Sequence, residues 1–331
     1  MTPLALLAAT TGILVSAGLL VAVVTFVWWL DRYDREPLPL VVAVFAWGGF
    51  VAPLLSVTSL AAATSLLDRP VGLVAGAAVE ELLKALAVVL VVRYSTEFDS
   101  PTDGLVYGTA AGLGFATVEN LMVVIAGAPA VREAGILTWA LQRTLFSAGV
   151  HGLATGVVGG FLGIAHLSRG ALTKLGVAAC GLLAGTGLHI AWNVALSAAS
   201  GRAAPWPALA AMPVLYAVYL GAFWLFLRWE HRILRTELEQ EASLRLVPPW
   251  VVDVIPFYRR RIRSEWWPRR AERVVLSRLL TRLAFRRHQI SRVPEADAAL
   301  ASLEVVRLRG RVRRMLEPEA PSPDDAIVNP L

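Results

Sequence analysis

The first thirty residues, MTPLALLAATTGILVSAGLLVAVVTFVWWL, contain no charged side chain. A run of that length is read as a helix crossing a bilayer, because about 20 apolar residues span the hydrocarbon core. It has no basic n-region and outruns the roughly 7–15 apolar residues of a cleaved signal, so it is read as a first span. The pattern recurs. Apolar runs at about 4–30, 38–63, 72–92, 104–128, 144–165, 174–198 and 207–228 predict about seven transmembrane helices. They are separated by breakers and charges such as DRYDREP, RYSTEFDSPTD and SRGALTK. Composition agrees: 56% of residues are hydrophobic, 17% are charged, and the mean hydropathy is +0.60. Backbone polar groups in lipid must bond within their own segment, which makes helices the solution for such runs. The expected fold class is an all-α, polytopic membrane helix bundle.

Charge divides the chain into parts. Residues 229–331 hold 20 Arg, no Lys and 14 acidic residues, so the protein's net charge of +6 lies entirely there. Arginine-rich segments beside a span stay cytoplasmic. Seven spans and a cytoplasmic C-terminus put the N-terminus outside, in the cell membrane. The expected domains are a transmembrane region at 1–228, a basic amphipathic cytoplasmic region at 229–314, and a Pro-rich, acidic, disordered tail at 315–331. The stretch RRRIRSEWWPRRAERVVLSRLLTRLAFRRHQ mixes Arg, Trp and Leu at helical spacing. It reads either as a helix lying on anionic lipid or as a small helical domain with a solvated basic face. No groove-reading motif accompanies the arginines, so no nucleic-acid partner is expected. Cys180, alone in an apolar helix, is expected to be a small core residue.

The informative residues are the ionisable ones inside the spans. They are Glu80, Glu81 and Lys84 in the third, Glu119 in the fourth, His151 in the fifth and His189 in the sixth. Each costs at least about 2.5–3.5 kcal/mol at mid-depth, so such groups face the bundle interior and have work to do. At a rise of about 1.5 Å per residue, Glu80, Glu119, His151 and His189 lie roughly 12, 14, 10 and 14 Å from the outer ends of their spans. Four consecutive helices thus carry these groups to one layer. His189 and Asn193 are one turn apart and can face one point, and Glu80 and Lys84 share a face and can pair. Glycines crowd the same spans and permit close helix approach.

A carboxylate beside an imidazole, sheltered from bulk water, can activate a water for hydrolysis. A His/Asn pair one turn apart can donate to the oxyanion of a tetrahedral intermediate. Two His and a Glu are equally a ligand set suited to Zn²⁺. Spacing leaves both mechanisms open, and no other small-molecule cofactor is evident. A proton-coupled transporter or channel could use the same layer as a relay, although no internal repeat supports it. A membrane scaffold with a lipid-binding tail is the third alternative.

The segments EELLK (80–84), DGLVYGTAAGLGFATVEN (103–120), His151 and HIAWN (189–193) stand in the order of the motifs of the PrsW family of intramembrane proteases, which this chain resembles. DRYDREP after the first span resembles that family too. The resemblance covers roughly residues 20–200 and leaves out the tail. The related CAAX prenyl endopeptidases have His where Glu119 stands and Arg in place of Lys84, one position later. The resemblance implies an intramembrane endopeptidase acting on a single-pass membrane protein such as an anti-sigma factor. It implies catalytic roles for Glu80, Glu81, Glu119, His151, His189 and Asn193, supported by Lys84, Phe115 and Asn120. Glu80 or Glu81 would activate water, with Lys84 paired to Glu80. Glu119, His151 and His189 could serve as ligands for Zn²⁺, and His189 and Asn193 would polarise the scissile carbonyl.

Overall fold

In a computed structural model of the chain, residues 2–64, 69–95, 97–127, 133–199, 206–263, 266–267, 269–290 and 295–316 are described. They form helices α1 (Pro3–Leu30), α2 (Leu38–Ala46), α3 (Ala52–Thr64), α4 (Arg69–Tyr94), α5 (Pro101–Gly127), α6 (Glu133–Gln142), α7 (Ala148–Leu167), α8 (Ala171–Ala199), α9 (Trp206–Ser243), α10 (Trp250–Val254), α11 (Tyr258–Arg261), α12 (Arg270–Ile290) and α13 (Glu295–Leu316). No strand occurs among the described residues. The disordered tail expected at 315–331 falls, from residue 317 on, outside them.

Six helical passages among the described residues are long and apolar enough to cross a membrane. The 26-residue α4 is long enough as well, but it carries Glu80, Glu81 and Lys84 near its middle. Two passages are joined by π-helical turns. Trp47–Val51 links α2 to α3, and Arg143–Ser147 links α6 to α7. The fifth passage therefore begins about three turns earlier than the expected 144, and Arg143 lies inside it. Leu7, Leu14, Leu54, Leu172, Leu183 and Val218 stand exposed on these helices, as lipid-facing side chains should. Cys180, expected in the core, is exposed on α8.

The chain divides into two compact units. The first, residues 1–31 and 35–226, is organised around α5 and α7. A Cβ added at Gly104, Gly108 or Gly112 would fall 2.0, 2.3 or 2.1 Å from the carbonyl oxygen of Gly159, Thr155 or His151. The four-residue spacing puts these glycines on one face of α5, which lets its backbone lie directly against that of α7. The turn at Trp47–Val51 contributes another close approach: a Cβ on Gly48 would sit 2.0 Å from the Ala111 carbonyl. Trp47 Nε1 donates to the Leu83 carbonyl of α4 at 2.9 Å.

The second unit, residues 32–34 and 227–331, has its own core. Leu234, Leu238, Val251, Ile255, Leu276, Leu280 and Leu283 are buried in it. Trp250 packs against Trp266 and Trp267 at centroid distances of 5.7 and 6.4 Å. Its ionic centre is Glu241, fully buried, which accepts from Arg287 Nη1 and Arg309 Nη2, each at 2.6 Å. Burial, then the charge of Glu230, push the Tyr33 hydroxyl of this unit up to about 12. The α12 leucines Leu276, Leu279, Leu280 and Leu283 pack into this core.

Candidate active site

Helix α4 presents two adjacent carboxylates about 100° apart, so each meets different neighbours. Glu81 is fully buried and held on both oxygens. Oε1 accepts from Lys84 Nζ at 2.5 Å and from His189 Nδ1 at 2.9 Å, and Oε2 accepts from Thr155 Oγ1 at 2.7 Å. Glu80 keeps 22% of its side chain exposed, and its Oε2 lies 3.8 Å from His189 Nε2. The ion pair is thus Lys84–Glu81, not the expected Lys84–Glu80. The three-residue spacing brings Lys84 under Glu81, where both are sealed from solvent. Glu80 is the freer carboxylate.

Lys84 binds the layer together. Besides Glu81, its Nζ lies 3.1 Å from His151 Nδ1 and 4.5 Å from the centroid of the Phe115 ring. An ammonium only donates, so Nδ1 of His151 accepts and the neutral ring carries its proton on Nε2. That Nε2 lies 2.7 Å from Glu119 Oε2. The logic at His189 is the reverse. A carboxylate accepts, so His189 donates from Nδ1 to Glu81, and its Nε2 lies on the side of Glu80. A buried carboxylate that fixes a ring in this way is the usual support of a metal-binding histidine. The two imidazoles meet edge to face, 4.6 Å between centroids.

The layer joins Glu80, Glu81, Lys84, Glu119, His151 and His189, with Phe115 packed 5.3 Å from the His151 ring. Asn120 turns away from it and accepts from Arg143 Nε at 3.2 Å. Asn193 is half-buried one turn beyond His189, and between them Trp192 Nε1 donates to Ser147 Oγ at 3.2 Å. Two members escaped the sequence reading. Thr155 stands one turn after His151, a spacing that could have revealed it. Arg143, whose Nη2 is 3.4 Å from Glu119 Oε1, lies in the π-helical turn between α6 and α7.

For a metal ion, the best-placed donors are Glu80, His151 and His189, which each offer a ligand atom within 4.8 Å of the others. Two imidazoles and a carboxylate suit Zn²⁺. His189 presents Nε2 on the side away from its bond to Glu81, and His151 offers Nε2 only as the tautomer with its proton on Nδ1, which requires Lys84 to be neutral. The sequence reading set Glu119 in place of Glu80. Glu119 Oε2 instead accepts from His151 Nε2 at 2.7 Å.

Carboxylates, imidazoles and an internal counter-charge, gathered inside a helical membrane bundle, are the equipment of a hydrolase that works within the bilayer. The relatives of the chain agree. Residues 36–223 match the family described as PrsW family intramembrane metalloprotease. The Protease PrsW of Geobacillus kaustophilus is 32% identical over 160 residues, covering 47% of this chain and 68% of the relative. That of Bacillus subtilis is 28% identical over 160 residues, covering 47% and 70%. No solved structure matches the chain. The chain belongs to the PrsW family: it is a multi-pass membrane protein and an intramembrane endopeptidase. This decides against the transporter and scaffold readings.

Proposed function

We propose that the chain hydrolyses a peptide bond of a single-pass membrane protein in the layer around Glu80, Glu119, His151 and His189. The observation that carries this is the convergence of Glu80, His151 and His189 within 4.8 Å, from three helices, on a scaffold fixed by Glu81 and Lys84. Glu80, His151 and His189 would hold Zn²⁺. A bound Zn²⁺ supplies a Lewis acid and a water whose pKa is lowered toward 7. The chain's own groups do the rest. Glu81 holds the Nδ1 proton of His189 and so aims its Nε2. Lys84 supplies the counter-charge that allows Glu81 to be fully buried. Glu119, whose side chain is 36% exposed, takes the proton of the attacking water and returns it to the leaving amine, with Arg143 balancing its charge. Asn193 donates to the scissile carbonyl. An anti-sigma-factor-like substrate rests on the family resemblance.

The contact between Lys84 Nζ and His151 Nδ1 favours a second reading. While Lys84 is charged, His151 has no lone pair to give a metal, and Glu80 activates the water directly. One experiment separates the two. The purified protein is offered a panel of single-pass membrane proteins, before and after exhaustive chelation, beside Glu80→Gln. Loss on chelation with recovery on adding Zn²⁺ supports the metal. Full activity after chelation, with Glu80→Gln dead, supports the carboxylate. Cleavage by Glu80→Gln at the wild-type rate contradicts both.

We further propose an outside N-terminus, a cytoplasmic second unit, and contact of its exposed arginines, such as Arg259, Arg263 and Arg270, with anionic lipid. All three rest on the location of the excess positive charge.

A further inference from the structure

A second group of carboxylates lies at the α1–α2 turn and the start of α5. Asp31, Glu36 and Asp103 are 1%, 2% and 4% exposed, and each offers an oxygen within 4.8 Å of the others. None belongs to the catalytic layer. Asp103 has a local task. As the third residue of α5 it accepts from the backbone N–H of Asp99 and Ser100 at 2.7 and 2.8 Å through Oδ2, and from Ser100 Oγ at 2.7 Å through Oδ1. Those bonds fill both lone pairs of Oδ2 and leave one accepting position on Oδ1.

Glu36 has no comparable local task. Its Oε2 accepts from the Tyr107 hydroxyl, while its buried Oε1 receives no hydrogen bond from an N–H or hydroxyl among the described residues. An orphaned carboxylate oxygen costs the full desolvation of that atom. The Glu36 carboxyl also meets that of Asp103. Two carboxyl groups in contact need a shared proton or a cation between them. The donor set bears on which. All donors are hard oxygens and no imidazole or thiolate is among them, the chemistry of Mg²⁺ and Ca²⁺ rather than Zn²⁺. Oxygens around one ion bound at about 2.0–2.6 Å lie no more than roughly 4–5 Å apart, and the three here lie within 4.8 Å of one another.

We propose that Asp31, Glu36 and Asp103 form a site for a hard divalent cation that ties the α1–α2 turn to the start of α5. The site is separate from the Glu80–His151–His189 group and independent of the catalytic reading.

The test uses the full chain in nanodiscs of neutral phosphatidylcholine, stripped with chelator. It carries Glu80→Gln and His189→Ala to silence the other metal-binding candidate. Mn²⁺, visible by electron paramagnetic resonance, stands in for Mg²⁺ and Ca²⁺. The expected result is one bound Mn²⁺ per chain, displaced by Mg²⁺ or Ca²⁺ and not by K⁺, with affinity at least tenfold weaker in Glu36→Gln. Should circular dichroism show that Glu36→Gln is unfolded, Asp31→Asn makes the same comparison. Absence of bound Mn²⁺ at millimolar concentration in the parent would overturn the proposal in favour of a shared proton. Unchanged binding in the folded variants would also overturn it.

Discussion

Glu80 and Glu81 are neighbours with opposite circumstances, and their substitutions should behave differently. Glu80 is partly exposed and makes no short ion pair, so Glu80→Gln should leave a folded protein that does not cleave. Glu81 balances Lys84 in a sealed environment. Glu81→Gln leaves an ammonium buried without its partner, a loss of about 3–5 kcal/mol. It should therefore lower thermal stability as well as activity, and a Glu81→Gln protein that melts with the wild type would contradict this. Thr155→Val removes a hydrogen bond to the same buried carboxylate, worth about 1.5–3 kcal/mol, and should lower the melting temperature while leaving some cleavage. The sequence could show that these side chains share a depth. It could not show which carboxylate Lys84 takes, because three-residue and four-residue spacings both place side chains on one face. That choice is made by His189 and Thr155, which arrive from other helices.

At the scale of elements, the α5–α7 contact sets the site. His151 and Thr155 stand where the α5 glycines let two backbones touch, so their side chains reach α4 from a fixed height. A methyl group added at Gly108 or Gly112 would meet a carbonyl oxygen, and the helices must separate to admit it. Gly112→Ala should cost about 1–3 kcal/mol as over-packing and should reduce cleavage, since it moves the His151 backbone itself. Gly72 and Gly187 have open space around an added Cβ, so alanine there should leave thermal unfolding unchanged. The helices themselves were legible in the sequence, because lipid-spanning runs of this length have few other solutions. Less legible was the start of the fifth passage. Arg143 and the acidic Glu133 resemble loop residues, and the turn that carries Arg143 toward Glu119 is π-helical, a local widening that hydropathy does not register.

At the scale of the whole molecule, an endopeptidase unit shares its chain with an arginine-rich helical unit. A reporter fused after Leu331 should read as cytoplasmic, and an external reading would contradict the proposed orientation. Vesicle binding of the full chain's exposed basic surface should fall as salt rises, and equal binding to neutral vesicles would remove the electrostatic contribution. The central claim is that Glu80 and His189 belong to one hydrolytic unit. It is tested most directly by a double-mutant cycle, measuring cleavage of a single-pass membrane protein by the wild type, Glu80→Gln, His189→Asn and the double variant, each checked for folding. Members of one unit are not additive. Each single variant should lose nearly all cleavage, and the double should be little worse than either. A double variant that still cleaves, or losses that simply multiply, would contradict the account.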